Sequence, residues 1–400
     1  MLGSIYIGLS GMDAYSRGLK VISNNVANLN TPGFKAASPQ FQDLYDAQGG
    51  VRGFLGGSFI GTDGRGVKIG TSLTDFKQGD LVQTSNDLDL AIQGRGFLVL
   101  MNDGKQFYSR TGQFAIDKDG YVAEQGTGYK LGILDSGGNA VPINIEDKRI
   151  NDPVATTKVT FAGNLNATVG AATNEDVISD IAVYDSRGQK HVWTVTLTRN
   201  DTFHDQWSIA VADSNGSHPD GGLNPFIRFV GGSSDPSAQE VTFTEMPEGA
   251  DQLSVVLDFS QSRSDFGGST LATSSVDGTG MGNLTTVTVD DTGQIVLNYS
   301  NSKTEKEGAV AVADFRDQQG LTQQGNGLFE NSGNSEMSLT ASDVDGVGKV
   351  ISKRLESSNV DLSAEFGDLI LIQRGFQACS QVVSVSNDMI QQLFGIRGQA

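Results

Sequence analysis

Cysteine is almost absent. Cys379 is the single one in 400 residues, so no intrachain disulfide framework exists. Histidine is scarce too, with only His191, His204 and His218. They form no H-E-x-x-H pair and no clustered Cys/His spacing of the zinc-binding kind, and all three are expected at the surface. Basic residues are outnumbered, 28 Lys and Arg against 47 Asp and Glu, for a formal charge of −19. Phosphate recognition needs clustered Lys and Arg, which argues against a nucleic-acid binder. No run approaches the ~18 apolar residues of a membrane span. The N-terminus, MLGSIYIGLSGMDAYSRGLK, has neither a basic region before its apolar residues nor a long apolar block, so it is not a Sec signal. A cytosolic protein is the plain expectation, with export by a route that uses no cleaved signal left open.

Glycine, by contrast, is plentiful at 51 against 8 prolines. It falls mostly between short apolar runs, as turns in a β-rich protein require. The two chain ends read differently. Leu2, Ile5, Leu9, Met12, Leu19 and Val26 form a 3/4-spaced stripe with Ser16 and Ser23 in its gaps, which predicts an amphipathic helix. Gly3, Gly8, Gly11 and Gly18 weaken it by up to ~1 kcal/mol each relative to Ala. Near residue 30 the asparagines Asn24, Asn25, Asn28 and Asn30 and then Thr31-Pro32-Gly33 stop it. At the far end Leu362, Phe366, Leu369, Phe376, Cys379, Val383, Ile390 and Leu393 repeat the pattern. Asp361 or Ser363 is the expected cap and Gly395 the expected stop. Cys379 reads as a small core residue. Two such stripes must bury on each other, on an ordinary core or on other molecules.

Between the helices the chain reads as β. Residues 86–100 alternate at Leu88, Leu90 and Ile92. Asp103-Gly104, Asp119-Gly120, Ser186-Arg187-Gly188 and Asp291 to Gly293 look like hairpin turns, and Trp193, Val195 and Leu197 share one strand face. The expected fold is mainly β with long terminal α-helices paired as a coiled coil, and two nested β domains between them. The terminal-helix core takes 1–30 plus 358–400, connectors of little regular pattern take 31–70 plus 335–357, an inner β domain takes 71–150 plus 277–334, and an outer inserted β domain takes 151–276.

No catalytic constellation survives scrutiny. The glycine-rich stretches 61–66 and 126–132 lack phosphate-loop spacing. A calcium loop aligned on Asp117 and Asp119 would put Ala115 and Gly126 at ligand positions, where neither can bind. Acidic pairs such as Asp87/Asp89 and Asp290/Asp291 follow from composition. No enzyme activity, no cofactor and no metal are expected.

SGMDAYSRGLKVISNNVANLNTPGFK and LESSNVDLSAEFGDLILIQRGFQACSQVVSVSNDMIQQL resemble the terminal signatures of the bacterial flagellar rod and hook family. NDLDLAIQGRGFLVL and FYSRTGQFAIDKDGYV are similar to its shared β motif, and the middle domain and total length are most like its hook members. The resemblance implies a structural subunit of the flagellar hook: a self-assembling, flexible helical tube that serves as a universal joint between rod and filament. It implies helices that order on assembly around an export channel. The implied location is outside the cell, reached by type III export without a cleaved signal peptide. Implied partners are further copies of the chain, the distal rod, the hook cap, the hook–filament junction proteins and the export apparatus, with no nucleic acid and no membrane insertion. Leu9, Met12, Leu19, Val26, Phe366, Leu369, Phe376, Val383, Ile390 and Leu393 are the expected helix contacts. Asn24, Asn25, Asn28, Asn359, Asp361, Gln373 and Arg374 match family motif positions that tie helix ends, with a solvated charge as the alternative for Arg374, and the motif's Pro32 and Gly33 turn the chain outward. Phe41 to Tyr45 fits a weak export-gate pattern, with ordinary packing as its rival. The alternatives are another axial component, rod or rod-like, and a secreted β-domain glycan-binding module or hydrolase.

Overall fold

A computed structural model describes residues 2–45, 64–168, 174–200, 202–203, 205–333 and 335–397. His204 and part of the 61–66 stretch lie outside them. The chain divides into two compact units. Unit 1 comprises Met1–Glu146, Val287–Val296 and Lys306–Ala400, and unit 2 comprises Asp147–Thr286 and Leu297–Glu305.

Unit 1 carries both long helices, α1 (Leu2–Ala27) and α2 (Leu362–Arg397). At ~1.5 Å per residue the 36 residues of α2 span about 54 Å. Asp361 caps its start, its Oδ1 accepting from the Ser363 and Ala364 amides at 2.9 and 3.3 Å. Gly395 does not stop the helix, which continues to Arg397: a helical glycine costs only ~1 kcal/mol. The rest of the unit is built on a 12-stranded sheet, with a core of Phe97, Val99, Tyr108, Phe315 and Phe329. The stretches expected to lack regular pattern contain strands, Phe41–Tyr45 paired with Gly64–Ile69, and Lys349–Ser352 with Asp89–Gln93. These pairs are too short for a period of two to stand out.

Unit 2 holds a 9-stranded sheet closed over Trp193, Val195, Leu197, Phe161 and Phe259. The rings of Phe161 and Phe259 stack at 4.6 Å. Most neighbours are antiparallel, but Lys158–Asn166 runs parallel to Leu253–Asp265, a pairing between strands ~90 residues apart that no local turn signal announces.

Four of the hairpins share one device, an Asp-x-x-Gly turn. Asp117, Asp135, Asp185 and Asp290 each accept two backbone amides at Oδ1, from residues two and four ahead. The glycine three ahead (Gly120, Gly138, Gly188, Gly293) takes positive φ, which closes the turn at no Cβ cost. This accounts for the calcium-like stretch, since the Asp117 carboxylate is occupied by its own turn.

Asp235, in a turn without the glycine, is likewise bonded to an amide two residues ahead. The Ser237 amide, the Arg228 guanidinium and the Ser237 hydroxyl hold Asp235 down at about 2. Because the folded value lies below the unfolded one of ~3.9, Asp235 stabilises the fold above pH ~4 and loses that contribution as pH falls towards 2. Asp235→Asn is therefore expected to flatten the fall in melting temperature between pH 4 and pH 2. An unchanged slope would contradict this assignment.

Candidate assembly interface

The helices α1 and α2 run antiparallel. Ser4 Oγ lies 3.2 Å from Ser386 Oγ at one end, and Asn25 Nδ2 donates to Glu365 Oε1 at 2.8 Å at the other. Between them the seam is not the leucine stripe of α1 but its glycines. A Cβ on Gly8 would sit 2.6 Å from Val383 Cγ2, one on Gly11 2.5 Å from Cys379 Sγ, and one on Gly18 3.0 Å from Ile372 Cδ1. Reciprocally, the Tyr15 ring occupies the place of a Cβ on Gly375, at 2.5 Å. Gly8, Gly11, Tyr15, Gly18, Ile22 and Asn25 repeat at heptad spacing. The residues read as weakening the helix are those that let its partner approach.

The expected contacts fall into two groups. Met12, Leu19, Val26, Leu369, Val383 and Ile390 are half-buried. Leu9 remains 51% exposed, Phe366 50% and Phe376 37%, so the intrachain seam does not cover them. Nor does it cover Ile370, Leu371, Val382, Val385 and Met389 of α2, with Leu371 67% exposed. The side chains of Leu2, Leu393 and Tyr45 lie outside the description. Phe41 packs its ring 5.3 Å from that of Tyr15. Cys379 is half-buried against Gly11.

Just beyond the helices lies a buried ionic cluster. Lys35 Nζ donates to Glu356 Oε1 at 2.5 Å and to the Lys77 carbonyl at 2.6 Å. Arg110 Nε donates to Glu356 Oε2 at 3.2 Å, and its other nitrogens reach the Gly96, Gly94 and Ile92 carbonyls. The Lys35 and Glu356 side chains are fully buried. Burial pushes the Lys35 ammonium below its usual range, against the pull of Glu356. The Gly79 amide also donates to Glu356, and the Glu356 amide to Thr111 Oγ1.

The motif residues surround this cluster. Gly33, at φ 71°, donates its amide to the Glu356 carbonyl. Asn25 exchanges hydrogen bonds with the Ala37 backbone. Asn359 accepts from Ala36 and donates to the Asp75 and Lys77 carbonyls. Asn28 bonds back to Asn24 and accepts from Thr31, while Pro32 is exposed. Gln373 and Arg374 are exposed, and their side chains have no hydrogen-bond partner among the described residues. Lys35, Arg110 and Glu356 escaped the sequence reading as a unit. Arg110, a lone cation between aromatic strands, and Lys35, closing the motif, were the available signals.

The acidic pairs have structural partners: Asp87 meets Lys353 at 2.9 Å, Asp89 accepts from Asn86, Asp290 meets Lys306 at 2.8 Å and Asp291 meets Lys349 at 3.5 Å. Among the described residues no helix is long and apolar enough to cross a membrane.

A model for flagellar basal body rod proteins matches residues 5–35, and one for the C-terminal part of the FlgEFG basal body rod proteins matches 351–396. A third, for the D1 domain of flagellar hook proteins FlgE/F/G, matches 91–167. The flagellar hook protein FlgE of Treponema pallidum is 29% identical over 99% of this chain and 100% of its own length. That of Escherichia coli is 28% identical over 97% of this chain and 98% of its own. The chain is thus similar, at both ends, in its D1 segment and over nearly its full length, to proteins of the bacterial flagellar rod and hook family. FlgE of Borreliella burgdorferi is also 28% identical, over 99% of this chain. The crystal structure of Helicobacter pylori hook protein FlgE2 is a loose likeness, with a TM-score of 0.43 and 14% identity over 69% of this chain and 100% of that one. Within this family frame the buried cluster takes Lys35, Arg110 and Glu356 from the three separately matched segments.

Removing one charge from such a cluster strands the others. Glu356→Gln is expected to cost unit 1 about 3–5 kcal/mol, read by far-UV circular dichroism during urea unfolding. Trp193 and Trp207 both lie in unit 2, so their fluorescence transition is the internal reference. A loss below ~1 kcal/mol would contradict a buried ionic role.

Proposed function

We propose that this chain is the structural subunit of a bacterial flagellar hook, assembling with its own copies into a flexible helical tube that passes torque from rod to filament as a universal joint. One observation carries the reading. Helix α2 keeps Phe366, Ile370, Leu371, Val382, Val385 and Met389 uncovered after its seam with α1 is complete. A soluble monomer rarely leaves so many large apolar side chains of one helix uncovered without a use for them. Copies packed helix to helix would cover it, and contacts that repeat without closing generate a filament.

The same logic assigns the other parts. The helix pair would work as a coiled coil lining the tube, ordering when neighbours cover its outer faces. Connector segments would link the tube to the β domains and touch neighbouring subunits, the inserted domain of residues 151–276 being the outer one in the tube. Its polar, acidic surface would let neighbouring outer domains slide as the tube bends. The partners proposed are the distal rod, the cap, the junction proteins and the type III export apparatus, with passage out of the cell requiring no cleaved signal. The strand conformation of Phe41–Tyr45 favours packing over export-gate recognition for that segment.

The test combines limited proteolysis of the monomer with electron microscopy after salt-induced assembly. Clipping of roughly the first 30 and last 40 residues, followed by their protection in a hollow curved tube, supports the hook reading. A stable, unclipped monomer that never polymerises would sink it. Leu371→Ser combined with Val385→Ser should leave monomer stability within ~0.5 kcal/mol and abolish tube formation. Tubes that form as readily as wild type would show that this face is not an interface.

A further inference from the structure

His191 is not at the surface, where the sequence reading put it. It is 5% exposed, near the start of the strand Lys190–Arg199 in unit 2. Asp213 ends the neighbouring strand Gln206–Asp213, and Glu245 ends Glu240–Glu245. One potential ligand atom from each lies within 4.8 Å of the other two. We infer that His191, Asp213 and Glu245 form a binding site for a divalent transition-metal ion of the zinc class.

The surroundings are those of a built site. His191 Nδ1 faces Asp213 Oδ2 at 3.1 Å, while Nε2 faces Asp185 Oδ2 at 3.4 Å. Asp185 thus stands where a carboxylate orients a metal-binding imidazole from behind, leaving Nδ1 for the ion. Glu245 is held twice, its Oε2 accepting from Trp193 Nε1 at 3.1 Å and its Oε1 bonded to the Ser217 hydroxyl. A spacing of 3.1 Å matches the edge between two ligands at ~2.0–2.1 Å from a common ion, ~3.3 Å for a tetrahedron and ~2.9 Å for an octahedron. Among the described residues His191 is the only cationic partner of Asp185 and Asp213. Three carboxylates therefore converge on one imidazole, an excess of negative charge that a divalent ion would balance.

A second observation concerns the turn. Asp213 opens an Asp-x-x-Gly turn, with Gly216 at φ 89° and its amide donating to the Asp213 carbonyl. In the turns at Asp117, Asp135, Asp185 and Asp290 the carboxylate receives the turn amides. Here the Asn215 side chain accepts the Ser217 amide instead, and the Asp213 carboxylate is turned to His191. The imidazole ligand favours zinc-like ions over magnesium and calcium, which prefer all-oxygen sites. Glu245 is only partly buried, which gives the ion a way in.

The test is titration of Zn²⁺ into the chelator-treated full-length chain by calorimetry. About one equivalent per chain should bind, and excess Mg²⁺ should not displace it. Asp185→Asn, which keeps the turn's acceptor, should weaken binding by about 10–100-fold. Glu245→Gln, which keeps an amide oxygen for Trp193, should weaken it by at least ~10-fold. Both variants should retain the wild-type circular dichroism melt in the absence of metal, so that weaker binding cannot be ascribed to misfolding. His218→Ala should bind as wild type does. No saturable uptake by the wild-type chain would overturn the inference and leave the cluster a buried hydrogen-bonded lock. Uptake unaffected by Asp185→Asn and Glu245→Gln, or removed by His218→Ala, would overturn it equally.

Discussion

A single buried carboxylate, Glu356, organises the junction on which unit 1 depends. It receives Lys35 from the segment that follows α1 and Arg110 from the link between the strands Lys105–Ser109 and Thr111–Ile116, and it sits six residues ahead of α2. Burying three charges is costly unless every donor and acceptor is satisfied. Here Lys35 and Arg110 direct further donors to the backbone carbonyls of Lys77, Gly96, Gly94 and Ile92. That network makes the geometry specific, because a displaced Glu356 would leave two buried cations without their shared carboxylate. Asn25, Gly33 and Asn359 then fix the path of each chain around it.

The consequence is a division of labour along α1 and α2. Their roots are held by charge and hydrogen bonds, which tolerate no slack. Their seam is held by shape, with Val383, Cys379 and Tyr15 set against Gly8, Gly11 and Gly375. A glycine seam lowers helix propensity, so the pair would gain stability if further helices covered α2. Strong roots with a conditional seam would suit the self-assembling subunit proposed above.

Much of this was legible in the sequence. The apolar period at both ends gave the helices, and the Asp-Gly and Asp-x-x-Gly signals gave the hairpins, because both depend on residues close in the chain. The seam register was not legible, since a period shared by large and small residues does not say which face meets the partner. Leu9 and Phe366 look like core by composition, yet glycines occupy the contact. The Lys35–Arg110–Glu356 cluster and the burial of His191 were hidden for a different reason. Each depends on residues far apart in the chain that only the tertiary fold brings together, as does the parallel pairing of Lys158–Asn166 with Leu253–Asp265.

The central claim is that the roots are set independently of the helices above them. Hydrogen exchange of the unassembled subunit tests it directly. The amides of Gly33, Gly79 and Glu356 should exchange as slowly as those of the strand Phe97–Asn102, while the amides along α1 and α2 exchange fast. Fast exchange at those three amides, matching the helices, would show that the junction forms only with the helix pair and would contradict the account.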